Sequence, residues 1–486
     1  MCRADIPPIS TPGRHNSVAL RLRRRLWAGG LGVACCLATF VIGNQFVPES
    51  QAVTRRILGH DFMAFYTAGS FVRQGRYRDL YNLKEVEAFQ RQLAQRHQLE
   101  IGPSFGPWWN PPFYAWVFAP LAAMPYPQAL GLWTAISVLC ALASLALLAC
   151  MLAQRGPPVQ ASAQEAYEQR LCREDFPAAS WKAWALVPLL VVVSDPLVRA
   201  LSHGQNSCVS LCIFVAGVWA WRKQRGLLAG LILGLLFYKP QLGAIVAAIL
   251  VLSLGWRALL GLALTGGALA AVTVLTMPGA AQDFVYRLPV NLHFMQIEQP
   301  YLWQRHVTLK AFWRLLIQGQ AAGPHWLSVR VLSLVGASML CGLLLVIVVR
   351  SRRAAAAKSA TALDQVIATA TVAMPLMMPF YFDYDLLLLA VPAVLLARNL
   401  RTQLHQGGPN MELSPVDRWL LGLWALLFVV MYVNPGLGQY TRVNLGVLLL
   451  TAVCLLLMLR RWPSAPVNRL VPDAHIEAPA SCAPRS

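Results

Sequence analysis

Long apolar runs separated by short polar stretches recur along nearly the whole chain. A membrane-spanning helix requires roughly 20 mainly apolar residues, and such runs lie at 27–46, 128–152, 182–200, 206–221, 258–276, 327–349, 365–380, 418–433 and 441–459. The run 227–254 is too long for one span and is interrupted by Lys239-Pro240, which predicts two short helices meeting there. The segment 383–397 is expected to return from a turn at 379–385. The pattern predicts an all-α, polytopic integral membrane protein.

Composition and charge agree with this fold class and add an orientation. The chain is 57% hydrophobic and 13% charged over 486 residues, which excludes an ordinary soluble domain. Clusters of arginine and lysine border the apolar runs at 21–25, 222–225, 350–353, 398–401 and 460–461. Because short cytoplasmic loops are enriched in these residues, we expect the clusters and both termini to be cytoplasmic. The net charge of +20 then reflects topology and contact with anionic lipid, and no nucleic-acid partner is expected.

The number of crossings depends on two irregular segments. With 112–124 included, the sequence contains thirteen apolar segments, whereas two cytoplasmic termini require an even number of crossings. The segment 112–124 is short and follows Asn110-Pro111, and 182–200 contains Asp195-Pro196 and Arg199. We expect about twelve transmembrane helices, with either segment failing to cross.

The predicted domain organisation is one membrane domain between two tails. Residues 27–461 form the membrane domain, 1–26 a basic cytoplasmic tail and 462–486 a disordered cytoplasmic tail. The outer loops of the membrane domain are expected at about 47–111 and 277–326. The charged segment around Val86, Phe89 and Leu93 predicts a short interfacial helix. The eleven cysteines are scattered without paired spacing, which argues against a disulfide framework or a metal site.

Polar residues gather on the predicted outer face. Besides the two loops, the turns near 201–206, 238–240, 379–385 and 434–442 lie on that side. These segments carry His203, Gln205, Asn206, Asp383, Asp385, Arg287, Arg305, His306 and Lys310. Asp61 directly follows the first predicted span, in the stretch Gly59-His60-Asp61-Phe62. An acid at a membrane boundary is a candidate functional group, although Asp is also a favoured cap of a helix beginning at Phe62.

Several short motifs follow one another in order over roughly residues 27–400. They are His60-Asp61-Phe62, Tyr66-Thr67-Ala68-Gly69, Gly75 to Asp79-Leu80-Tyr81, Asn110-Pro111-Pro112-Phe113, Gly204-Gln205-Asn206 and Gly230 to Lys239-Pro240. This ordered series resembles glycosyltransferase family 87. The family contains polyprenol-phosphate-mannose-dependent α-1,2-mannosyltransferases with the GT-C membrane fold. The resemblance implies a bacterial cytoplasmic membrane enzyme that uses a polyprenyl-phosphate sugar donor and a lipid or glycan acceptor.

The resemblance also implies site residues. The family's general base, an aspartate in the first outer loop, falls on Asp61, which would accept the acceptor hydroxyl's proton. Since the polyprenyl phosphate leaves as a stabilised anion, no metal or other cofactor is expected. By position, Lys239 is the first candidate to bind the donor phosphate, with Arg305 or Arg287 as alternatives. The expected substrate contacts are His60, Tyr66, His203, Gln205, Asn206, Asp383 and Asp385.

Structural roles compete with these assignments. Lys239 could extend to the membrane interface instead, and the residues from His203 to Asn206 could satisfy the end of a helix. Asp383 and Asp385 could cap a helix, and His60 could merely orient its neighbour. In the stretch 379–385, tyrosines and aspartates stand where the family often has histidines, so the sugar and the acceptor stay open.

Two other classes of function remain alternatives. A secondary transporter of a small polar solute or lipid-linked glycan would place ionisable residues near the bilayer midplane, in two related halves. Here the charges gather at one face, and the Lys239-Pro240 break has no obvious counterpart. A membrane scaffold would not need large polar outer loops. The sequence therefore favours a membrane hexosyltransferase that inverts the anomeric carbon.

Overall fold

A computed structural model of the chain describes residues 59–99, 105–153, 186–355, 360–406 and 412–460, with isolated positions at 32, 35, 36, 39, 101 and 462. The predicted first span and both predicted tails lie outside the described residues apart from those positions.

The described residues form an all-helical fold. Its α-helices are α1 (Phe62–Arg73), α2 (Leu83–His97), α3 (Tyr126–Ala153), α4 (Leu186–Val192), α5 (Asp195–His203), α6 (Ser207–Arg222), α7 (Gly226–Gly234), α8 (Pro240–Leu254), α9 (Trp256–Thr276), α10 (Ala280–His293), α11 (Leu309–Gln318), α12 (Leu327–Ala355), α13 (Ala360–Met377), α14 (Ala390–Gln406), α15 (Pro415–Thr441) and α16 (Leu445–Leu459). Short 3₁₀ segments lie at Tyr77–Tyr81, Pro112–Phe118, Leu121–Ala123, Leu235–Tyr238, Trp303–Arg305 and Asp383–Leu389, and a π-helical turn at Phe294–Glu298.

Four helices of the described part, α3, α9, α12 and α15, are long and apolar enough to cross a membrane. Shorter apolar helices accompany them: α6, α7 with its following 3₁₀ turn, α8, α13 and α16. The predicted all-helical membrane protein is therefore confirmed, while twelve crossings and the GT-C fold stay predictions.

Neither irregular segment forms one continuous helix. Residues 112–124 form the 3₁₀ segments Pro112–Phe118 and Leu121–Ala123, because the prolines at 111, 112 and 120 lack the amide donors of a regular α-helix. The described part of 182–200 is divided between α4 and α5, which begins at Asp195 with Pro196 in its first turn. Polar residues and proline thus interrupt both apolar runs.

The interruption at Lys239-Pro240 matches the prediction from the sequence. The 3₁₀ turn Leu235–Tyr238 ends α7, and Lys239 has non-helical angles immediately before α8. Glycines let α7 pack closely on α9: a Cβ on Gly230 would collide with the Ala258 carbonyl, and one on Gly261 with the Leu227 carbonyl. Small residues at such a crossing allow close backbone approach within a membrane.

Ion pairs identify the end of the bundle opposite the candidate site. Asp364 accepts Arg222 Nε at 2.6 Å and Arg398 Nη1 at 2.9 Å. Arg460 Nε donates to Asp417 Oδ1 at 2.5 Å. Three of the arginines predicted to share the cytoplasmic face, Arg222, Arg398 and Arg460, are thus held by buried carboxylates.

Candidate active site

Backbone hydrogen bonds attach the Asp61 segment to the end of α5. Gly59 N donates to the Ser202 carbonyl at 2.8 Å, and Asp61 N donates to the His203 carbonyl at 3.0 Å. Gly59 has a φ of +71°, and a Cβ there would lie 2.6 Å from Leu130 Cδ2. Glycine therefore permits both the turn and the close packing that place Asp61 beside α5.

Asp61 occupies the cap position of α1, but its side chain makes no capping hydrogen bond. Instead, Asp61 Oδ2 lies 3.0 Å from His203 Nδ1 and accepts Gln205 Nε2 at 2.9 Å. The other oxygen, Oδ1, has His60 Nδ1 at 3.5 Å, long for a hydrogen bond. The Asp61 side chain is 27% exposed, with two close contacts on one oxygen and a single long contact on the other.

The surroundings favour the ionised form of Asp61. Burial acts against the charge, but the electrostatic interaction with His203 and the close contacts of His203, His60 and Gln205 hold the pKa of Asp61 well below its usual value. The carboxylate is therefore ionised at neutral pH and able to accept a proton.

Arg305 determines which nitrogen of His203 carries the proton. Arg305 Nη2 lies 3.2 Å from His203 Nε2. Because a guanidinium only donates, Nε2 must be the acceptor, and the proton of a neutral His203 lies on Nδ1, which faces Asp61. Burial also lowers the pKa of His203, although Asp61 acts in the opposite direction.

A charged network holds Arg305 in place. Its Nε and Nη2 donate to the two oxygens of Asp383 at 3.0 and 2.8 Å, a bidentate pair. Burial opposes the charge of Asp383, but Arg305 and Arg199 lower its pKa to about 2. Arg199 in turn donates to Asp195 at 2.7 Å, one turn earlier in α5.

A second set of contacts connects Asp61 with Lys239. Gln205 Nε2 also donates to the hydroxyl of Tyr384 at 3.1 Å. Asp385, the next residue, accepts hydrogen bonds from Lys239 Nζ and from Ser207 Oγ, both at 2.6 Å. The Lys239 side chain is only 12% exposed, so it pairs with Asp385 rather than extending to the interface.

Not all predicted site residues join this network. Arg287 is half-exposed and pairs with Asp283 at 3.0 Å, one turn away on α10. Tyr66 donates its hydroxyl to the Met124 carbonyl at 2.8 Å. Asn206 is buried, and its carbonyl accepts the backbone amide of Ser210. The structure brings together Asp61, His60, His203, Gln205, Lys239, Arg305, Asp383 and Asp385.

Four contributors were not predicted as site residues. They are Ser207, Tyr384, Asp195 and Arg199. The sequence carried a signal for the last two, because an acid and an arginine four residues apart inside an apolar run are expected to pair. Tyr384 stands between the two predicted aspartates.

In the described residues, no group of three or more His, Cys, Asp or Glu side chains is arranged to hold a metal ion. Independence from metal stays a prediction.

One comparison with known proteins gives a match. The model of glycosyltransferase family 87 matches residues 108–379, more than half of the chain. This region contains His203, Gln205, Lys239 and Arg305, begins after Asp61 and ends before Asp383. Neither the curated proteins nor the solved structures gave a match. The family that the motifs resembled is therefore confirmed, and the chain belongs to glycosyltransferase family 87, a family of membrane glycosyltransferases.

Proposed function

We propose that the protein transfers a hexose, with mannose as the first candidate, from a polyprenyl-phosphate donor to an acceptor hydroxyl, with inversion and with Asp61 as general base. The observation that carries the proposal is the asymmetry of the Asp61 carboxylate. Oδ2 has His203 at 3.0 Å and Gln205 at 2.9 Å, whereas Oδ1 has a single long contact, at 3.5 Å. A partly exposed carboxylate with one oxygen fixed and one weakly contacted fits proton transfer from a bound hydroxyl.

The proposed reaction is a single displacement at the anomeric carbon. The acceptor oxygen forms a bond to that carbon as the bond to the phosphate oxygen breaks on the opposite face. The hydroxyl proton passes to Asp61 Oδ1, and the polyprenyl phosphate leaves with the electron pair. His203 and Gln205 keep Asp61 oriented throughout.

Three other residues of the network are assigned to substrate positioning. Tyr384 and Asp385 lie on the turn between Asp61 and Lys239, and His60 lies beside Asp61 Oδ1. Polar groups that converge in this way can bind sugar hydroxyls. The enzyme is proposed to act at the outer face of a bacterial cytoplasmic membrane, with both termini inside.

Family membership and the distribution of charge favour an enzyme over a transporter. Most of the buried charge pairs described above lie in two groups, one around Asp61 and one around Asp364 and Asp417. The first group is built from segments predicted to share one face. No second candidate function is supported by a specific contact.

The deciding experiment compares wild type with Asp61→Asn. Membranes with matched amounts of full-length protein receive radiolabelled polyprenyl-phosphate-mannose, and labelled products are separated. Asn preserves the size of the side chain but cannot act as a base. Asp79→Asn is the matched control, because Asp79 lies in the same predicted loop, is 28% exposed and pairs with Arg76.

The proposal predicts transfer by wild type and Asp79→Asn but not by Asp61→Asn. If Asp61→Asn transfers as much sugar as wild type, Asp61 is not the base. If wild type transfers glucose from the corresponding glucosyl donor but not mannose, the mannose assignment is wrong and the mechanism is retained.

A further inference from the structure

The three cations expected at the donor phosphate are already paired with carboxylates. Lys239 pairs with Asp385, Arg305 with Asp383 and Arg287 with Asp283. Each could bind a phosphate only by giving up or sharing that partner. A cation without a nearby acid would bind a phosphate without that loss.

Lys310, in the first turn of α11, has this property. No carboxylate in the described part of the chain lies within 4.0 Å of its Nζ, and its hydrogen-bond partner is the amide oxygen of Gln296 at 3.4 Å. Burial lowers the pKa of Lys310, and Arg330 lowers it further. An anion at Nζ would relieve both effects.

Lys310 belongs to a group of basic and aromatic residues around Trp303, here called the Trp303 cluster. It consists of Trp303, His306, Lys310, Arg314, His325 and Arg330. Lys310 Nζ and the Arg314 guanidinium lie 5.6 and 5.8 Å from the centroid of the Trp303 ring. The His325 ring centroid is 5.3 Å from that of Trp303. Burial lowers the pKa of His325 to about 4, with further lowering by Lys310, Arg314 and Arg330.

The cluster contains buried polar atoms without partners. Trp303 Nε1 and both ring nitrogens of His306 have no hydrogen-bond partner among the described residues, although both side chains are wholly buried. The two ring nitrogens of His325 also lack one. Buried polar atoms of this kind are normally satisfied in proteins. The indole nitrogen and one nitrogen of each neutral imidazole are donors, and in the described part of the chain they lie beside cations that have no carboxylate partner. Both properties suit a phosphate, which offers several acceptor oxygens.

The position of the cluster suits a phosphate carried by a lipid. Trp326 and Leu327 are exposed where the spanning helix α12 begins. Further along α12, Leu334 and Val335 are exposed as well. Since tryptophan is enriched at membrane interfaces, this arrangement places the cluster at head-group depth. An apolar tail could then run along α12.

Aromatic contacts connect the cluster to the candidate active site. His306 follows Arg305 in the chain, and its ring lies 4.0 Å from that of Phe382. Phe382 stacks on Tyr384 at 5.1 Å, and the Tyr384 hydroxyl accepts Gln205. The cluster and the candidate active site are therefore neighbouring parts of one packed region.

We propose that the Trp303 cluster, with Lys310 as its central cation, binds the phosphate of a membrane lipid, which is the polyprenyl-phosphate sugar donor if the proposed function holds. The experiment measures equilibrium binding of radiolabelled polyprenyl phosphate to the full-length protein in phosphatidylcholine nanodiscs. Lys310→Gln removes the charge and Lys310→Arg keeps it. Lys223→Gln is the control, because Lys223 also lies over a tryptophan ring, that of Trp219, but at the end of α6.

The expected result is weaker binding by Lys310→Gln, by about tenfold or more, with wild-type affinity for Lys310→Arg and Lys223→Gln. Unchanged binding by Lys310→Gln would overturn the site. Competition identifies the source of the phosphate: equal competition by phosphatidylglycerol would overturn the assignment to the donor, and equal competition by inorganic phosphate would overturn the assignment to a lipid. Asp61→Asn is measured in parallel and is expected to bind normally, so loss of transfer and loss of binding are distinguished.

Discussion

Arg305 lies between His203 and Asp383, with its Nη2 3.2 Å from His203 Nε2 and 2.8 Å from Asp383 Oδ1. No direct contact joins Arg305 to the Asp61 carboxylate among the described hydrogen bonds and ion pairs. Arg305 acts on Asp61 by keeping the proton of His203 on the nitrogen that faces the carboxylate. This relationship makes Arg305 a positioning residue.

Arg305→Lys is therefore expected to lower kcat more than it changes KM. A lysine keeps the positive charge but cannot contact both Asp383 oxygens and His203 together. Loss of a hydrogen bond to a charged group costs about 1.5–3 kcal/mol, which corresponds to roughly a 10- to 150-fold loss of rate. Steady-state transfer kinetics measure the effect, with Arg287→Lys as control. Similar kinetics for both variants would contradict the positioning role.

His203→Ala is expected to shift the acidic limb of the pH–activity profile to higher pH. The pKa of Asp61 is depressed, so the base is ionised above that pKa and is lost as the pH falls through it. Removing His203 removes a stabilising partner of the carboxylate, and the pKa of Asp61 rises. The profile of kcat/KM against pH measures this shift, and the exposed His293 provides the control variant His293→Ala. If the acidic limb of the profile stays at the same pH in His203→Ala, His203 does not affect the pKa of Asp61.

The sequence indicated the segments of the site but not the pairing of their charges. The break at Lys239-Pro240 follows from proline chemistry, and the segments predicted to share one face do meet around Asp61. Lys239 and Asp385 are 146 residues apart, and neither periodicity nor composition relates such positions. The pair of Arg305 and Asp383, 78 residues apart, was hidden for the same reason. Arg287 and Asp283, by contrast, are one helical turn apart, so the sequence did carry a signal for that pair. The run 182–200 resembled a span by composition, but Asp195 and Arg199 form an ion pair beside the site.

The pair of Lys239 and Asp385 gives a prediction about stability. Both side chains are largely buried, at 12% and 13% exposure. Removal of one partner leaves an uncompensated charge, which typically costs about 3–5 kcal/mol. Lys239→Met and Asp385→Asn are each expected to unfold at lower temperature, whereas the double variant recovers part of the loss. Thermal unfolding of the purified wild type, the two single variants and the double variant in detergent measures these losses. If the losses of the single variants simply add in the double variant, the two residues are not a coupled pair.

Asp364→Asn tests whether the opposite end of the bundle is purely structural. Asp364 is wholly buried and accepts both Arg222 and Arg398, so neutralising it leaves two guanidinium groups with a weaker partner. A loss of several kcal/mol of stability is expected, on the order of 3–5 kcal/mol. Because Asp364 has no contact with the network around Asp61, kcat/KM per folded molecule should equal the wild-type value. The two readouts are thermal unfolding and transfer activity corrected for folded protein. Asp61→Asn should instead lose kcat/KM and keep its thermal stability. A loss of kcat/KM in Asp364→Asn would show that the ion pairs of Asp364 affect the active site.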